Sequence, residues 1–112
     1  MRSKMNLAKQ TIIPHPYSKE KHLLSEEDIA TYLKELKGNW TLKGNKISRT
    51  FTFKDFVTAM NFVNTVAAIA EEANHHPDIS IFYNKVTIEL WTHGAEGLSL
   101  NDFIVAARVD AL

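Results

Sequence analysis

One segment limits what this chain can fold into more than any other: the run from about Asp55 to His75, which reads as a long helix with a broad apolar surface. At about 100° per residue, Phe56, Met60, Val63, Ala67 and Ala70 fall together, with Phe62, Val66, Ile69 and Ala73 beside them. The apolar arc is then about 180°, wider than the roughly 100° stripe of a helix that covers one sheet. Such a helix needs cover on two sides. A chain of 112 residues suits one compact domain and has little protein to supply both. The pattern therefore predicts self-association through the surplus arc, with deep burial under the sheet as the alternative.

The flanking segments supply that sheet. Ser25-Glu26-Glu27-Asp28 reads as a helix N-cap with acidic residues in the first turn, where they favour the helix dipole. Ile29, Tyr32, Leu33 and Leu36 follow on one face, and Gly38 can close the helix. Trp40 to Leu42 reads as a short strand, Lys43-Gly44-Asn45 as a turn, and Ile47 to Phe53 as an alternating strand. Arg49 interrupts the apolar face of that strand and suggests an edge or an interface. Ile79 to Phe82 and Val86 to Thr92 form a second strand pair with a tight turn at Asn84-Lys85. Ser99-Leu100-Asn101-Asp102 is a capping pattern that opens a last helix, with Phe103, Ile104 and Ala107 turned inward. The order helix, strand, strand, helix, strand, strand, helix predicts an α+β domain: a four-stranded antiparallel sheet with three helices on one face.

Composition removes several classes of function. Equal numbers of acidic and basic residues give zero formal charge, which argues against nucleic acid as a direct partner. The absence of cysteine excludes disulfides and thiolate metal sites. No apolar run approaches the roughly 20 residues needed to span a bilayer. Met1 to Gln10 lacks the apolar core of a secretory signal. No membrane association and a cytoplasmic location are the expectations. Residues 1–22, basic and interrupted by Pro14 and Pro16, read as a mobile N-terminal tail, with residues 23–112 as the single domain.

Chemistry concentrates in one window. Glu71-x-x-x-His75-His76-Pro77, Tyr83-Asn84-Lys85-Val86 and Trp91-Thr92-His93 bring three of the five histidines near one carboxylate. Imidazole both gives and takes protons near neutrality. Glu71 and His75 lie four apart, so the carboxylate can reach and orient the ring. Pro77 disfavours the α conformation at His76, so the helix should end there and the adjacent rings should diverge. His93 ends a strand before a Gly-containing loop, where a side chain can face a cleft.

Simpler roles stand beside each of these. His76 before proline is also a solvated helix end, Glu71 and His75 an ordinary surface pair, and Asp102 a capping residue. Trp91 and Phe82 are also packing residues, although an aromatic wall suits a flat heterocycle. Three histidines and a carboxylate match zinc by type. Their spacing differs from the helical pair of H-E-x-x-H, and diverging neighbours chelate poorly. No metal is expected.

These blocks, together with Leu90-Trp91-Thr92-His93 and Gly97-Leu98-Ser99-x-x-Asp102, resemble the pterin-4a-carbinolamine dehydratase family from about Leu24 to the C-terminus. Ile79 stands where animal members tend to carry tryptophan. The resemblance implies dehydration of a 4a-hydroxytetrahydropterin to the quinonoid dihydropterin, the step that regenerates pterin for an aromatic amino acid hydroxylase. It also implies a homodimer or homotetramer, and no metal or organic cofactor. Catalytic roles carry over to His75, His76 and His93, with Glu71 and Asp102 in support. Substrate contacts are expected at His76, Trp91 and Thr92. A non-catalytic dimerisation module of the same fold is the alternative.

Overall fold

The computed structural model describes residues 6–112. Met1 to Met5, with Arg2 and Lys4 of the expected tail, lie outside the described residues. In chain order the elements are α1 (Lys19–His22), α2 (Glu26–Glu35), β1 (Thr41–Lys43), β2 (Lys46–Thr52), α3 (Phe56–Ala73), β3 (Asp78–Phe82), β4 (Lys85–Leu90) and α4 (Leu100–Asp110). Short 3-10 turns occupy Leu7–Lys9 and His93–Ala95. The strands form one antiparallel sheet in the order β1-β2-β4-β3. This is the expected α+β domain, with the short α1 added from the segment read as a tail.

Register follows the alternation in the sequence. Ile47, Arg49 and Phe51 of β2 pair with Leu90, Ile88 and Val86 of β4, and Ile79 and Ile81 of β3 pair with Ile88 and Val86. That row faces the helices, and Ile47, Val86, Ile88 and Leu90 are fully buried. The opposite face is polar, with Thr50 and Thr87 hydroxyls 2.8 Å apart across the strands.

The strand that carries Arg49 is internal, not an edge. Its guanidinium reaches Asp110 at 2.5 Å and lies over the Phe51 ring, 4.2 Å from the centroid. Asp110 also accepts from Trp40 Nε1–H (2.9 Å) and Gly38 N–H (3.1 Å). A polar side chain is tolerated on the inner face because one carboxylate gathers three donors. A Cβ on Gly38 would lie 1.9 Å from Arg49 Nη1, so the close approach requires glycine there. Asp110 is 4% exposed, and Asp110→Ala leaves these donors unpaired. It should destabilise the fold by about 3 kcal/mol, read as a lower urea midpoint at unchanged slope.

In α3, Thr58 hydroxyl and N–H both donate to the N-cap Asp55, which lowers that carboxyl below its ordinary range. Ala59, Val66, Ala70 and Ala73 face the core, with Phe62, Val63 and Ile69 partly buried around them. Phe56 and Val57 remain 48% and 66% exposed. The apolar surface of α3 thus exceeds what the described residues of one chain cover.

Other details depart from expectation. The β3–β4 turn is centred on Tyr83 and Asn84, because Phe82 already pairs with Lys85. Tyr83, not Asn84, takes the positive φ of 53°. Asn84 Nδ2 instead donates to Phe53 O at 2.7 Å and Phe53 N–H to Asn84 O at 2.8 Å, tying the turn to the end of β2. The last helix is buried on more sides than its apolar spacing implies, with Asn101 to Ala106 and Val109 all buried. Its extra cover comes from the N-terminal segment. Leu7 is 3% exposed, and Arg108 donates to Ala8 O and Gln10 O, each at 3.0 Å.

Candidate active site

The site begins where α3 stops. Asn74 adopts the left-handed conformation (φ 49°), and its N–H bonds back to Ala70 O and Glu71 O. His75 N–H also returns to Ala70 O at 3.1 Å. This closure resembles a Schellman end, in which asparagine accepts a backbone angle that most residues resist. The helix therefore ends before His75, and the two histidines leave it in different directions, as Pro77 suggested.

His75 turns inward and is 5% exposed. Its Nε2 lies 2.6 Å from Oδ1 of Asp102, a fully buried residue in the first turn of α4. Asp102 Oδ2 accepts from Ser99 N–H (2.9 Å), its partner in a capping box, and from Thr92 Oγ–H (2.8 Å). The Thr92 proton is thereby engaged, so Ser99 Oγ–H donates to Thr92 Oγ1 across 2.7 Å. A carboxylate that accepts from two other groups sets the imidazole tautomer: Nε2–H donates to Asp102. In the neutral ring Nδ1 then keeps its lone pair, and it has no hydrogen-bond partner among the described residues.

Glu71 does not orient His75. Its Oε2 lies 2.5 Å from His76 Nε2, an exposed pair. The correction follows from the left-handed Asn74, which takes His75 off the helical i, i+4 track and brings His76 back over Glu71. Asp102 bonds to His75. Thr92 lines the pocket but is 1% exposed, and its hydroxyl lies within the Asp102 network.

Thr92 has left β4, which ends at Leu90, two residues before the expected Thr92. Its N–H donates to Gly97 O at 2.8 Å and pins the loop. The next residue, His93, projects from the loop exposed, its ring centroid 3.8 Å from that of Trp91. His75, His76 and His93 all line one open pocket of about 360 Å³, together with Trp91 and Asn74. The separate contacts of each ring leave no three His, Asp or Glu side chains grouped as a metal would need, among the described residues.

Two further lining residues come from the segment read as a tail: His15 and Tyr17. Their rings meet at 4.1 Å between centroids, tilted by 44°, and Tyr17 meets His75 edge-on at 6.0 Å. The signal for them was His15-Pro16-Tyr17, aromatic and imidazole side chains in an otherwise basic stretch. Ser99 was legible as a cap but not as part of the hydrogen-bond chain behind His75.

Residues 22–112 match the sequence profile described as Pterin 4 alpha carbinolamine dehydratase. A protein of Sulfurisphaera tokodaii, whose name assigns it provisionally to pterin-4-alpha-carbinolamine dehydratase, is 48% identical over 80% of this chain and 95% of its own. The crystal structure of a transcriptional coactivator/pterin dehydratase from Brucella melitensis superposes with a TM-score of 0.74 at 37% identity, over 79% of this chain and 95% of that one. A pterin dehydratase-like protein identified as a RuBisCO assembly factor in the alpha-carboxysome gives 0.54 at 27% identity, over 65% and 84%. The profile takes in the three histidines, Glu71, Trp91, Thr92, Ser99 and Asp102, and stops short only of the two N-terminal rings. By that match, and by the 48% identity to such a relative, the chain belongs to the pterin 4 alpha carbinolamine dehydratase family.

Proposed function

We propose that the protein dehydrates a 4a-hydroxytetrahydropterin to the quinonoid dihydropterin and water by general acid–base catalysis. The observation that carries this is the convergence of His75, His76 and His93 on one pocket beside Trp91. The reaction needs two proton transfers. The leaving hydroxyl at C4a takes a proton as the C4a–O bond breaks. N5 loses its proton as its electrons form the N5=C4a double bond, and one water departs. His75 and His93 exchange these protons, each worth about 10²–10⁴-fold for a positioned group. Nδ1 of His75 suits the task because Asp102 fixes the opposite nitrogen. His76, held by Glu71, grips the pterin, and Trp91 offers a flat apolar surface for its ring.

We include in this reading a homodimer or homotetramer, since Phe56 and Val57 on α3 and Phe82 and Tyr83 at the end of edge strand β3 stay exposed. A cytoplasmic location belongs to the same reading. No helix among the described residues is long and apolar enough to cross a membrane.

The second reading is an interaction module without turnover. It is favoured by the solved relatives described as a transcriptional coactivator and as a RuBisCO assembly factor. The test is the decay of a synthetic 4a-carbinolamine at enzyme concentrations far below substrate. Many turnovers per chain are expected. A rate equal to the uncatalysed decay would leave the module.

A further inference from the structure

We infer that the N-terminal segment ahead of the family domain supplies a wall of the pterin pocket, with Tyr17 as the residue that tightens substrate binding. The inference rests on the pterin reading above, but on a part of the chain that the family match, beginning at residue 22, does not contain.

The segment is held by contacts specific enough to position a side chain. Asn101, fully buried on α4, accepts from Ile13 N–H at 2.7 Å and donates through Nδ2 to Ile13 O at 3.0 Å. An amide side chain thus pairs with both backbone groups of one residue, as a neighbouring strand would. A fully buried asparagine costs free energy unless both ends of its amide are satisfied, and the segment satisfies both. Arg108 and the buried Leu7 fix the chain upstream. Downstream, Ser18 caps α1, and Lys19 pairs with Glu96 at 3.3 Å. Between these anchors lies Tyr17, whose Cβ and carbonyl pass so close to Gly94 that a Cβ there would sit 3.0 Å from each. The residue after His93 therefore has to be small for the segment to cross.

The outcome is a pocket with two close ring pairs, each tilted at 44°: Trp91–His93 from the domain and His15–Tyr17 from the N-terminal segment. Tyr17 is half-buried and sits edge-on to His75, so it also limits water at that imidazole. A flat bicyclic ring is the ligand class such walls suit. Tyr17 contributes to binding and not to proton transfer, which makes it a positioning residue.

The full-length chain and its Tyr17→Ala and Tyr17→Phe variants test this by calorimetric titration with a 7,8-dihydropterin and by steady-state kinetics on the carbinolamine. Tyr17→Ala should raise Kd and KM about tenfold while kcat changes less than about twofold. Tyr17→Phe, which keeps the ring, should restore both to within about twofold. Wild-type Kd and KM in Tyr17→Ala would overturn the inference, and so would a loss confined to kcat. If the wild type binds the dihydropterin without turnover, the catalytic reading falls and the tenfold Kd ratio still decides the wall. A wild type that binds no pterin overturns both.

Discussion

His75→Ala should lower kcat on a 4a-carbinolamine by about 10²–10⁴-fold, with a smaller change in KM. The expectation rests on an imidazole held in one tautomer, Nε2 bonded to a buried carboxylate and Nδ1 free to exchange a proton. The substitution has a structural consequence as well. Asp102 Oδ1 loses its partner in a buried setting, which should destabilise the fold by about 1–3 kcal/mol. His93→Ala separates the two effects. That ring is exposed and its ring contact is a tilted one with Trp91, so its removal should reduce kcat by a similar factor with stability within about 0.5 kcal/mol of wild type. Equal rates for wild type, His75→Ala and His93→Ala would remove both histidines from the chemistry.

Asp102→Asn should be nearly as damaging to turnover, by at least about 100-fold, although the residue never touches substrate. An amide of the same shape can still accept on one side, but its NH₂ then faces either His75 or the Ser99 N–H and Thr92 hydroxyl. If the NH₂ faces His75, Nε2 has to accept and the imidazole proton moves to Nδ1. In the neutral ring the nitrogen available to the pterin then becomes a donor, where Asp102 leaves it a lone pair. If the NH₂ faces the other way, it meets two donors inside a fully buried cluster. Such an arrangement costs about 1–3 kcal/mol for the groups left unpaired. Nitrogen-15 shifts of His75 distinguish the two outcomes. A variant with wild-type kcat and wild-type tautomer would show that Asp102 only caps α4.

Much of this was legible in the chain because period and capping chemistry are local. The α3 arc, the alternation of β2 and β4, and the Ser99–Asp102 cap each depend on residues a few positions apart. Proline after His76 correctly implied diverging rings. What was missed depends on contacts distant in sequence. Arg49 looked like an edge signal because Asp110 lies 61 positions away. Glu71 seemed a partner for His75 because i, i+4 spacing assumes an unbroken helix, and the left-handed Asn74 breaks it. The N-terminal segment has no period of its own. Its order comes from Asn101 and Arg108, 88 and 100 positions on from their partners Ile13 and Ala8, and no local pattern announces such pairings. The cover on α4 and the Tyr17 wall were invisible for the same reason.

A crystal structure of the full-length protein soaked with a 7,8-dihydropterin tests the convergence of the three imidazoles most directly. The bicyclic ring is expected in the pocket beside Trp91, with its C4a–N5 edge turned toward His75 Nδ1 and the His93 ring, N5 within hydrogen-bonding reach of one of them, and His76 at the ring's edge. A pterin bound elsewhere on the protein, with the pocket between these three histidines left empty, would contradict it.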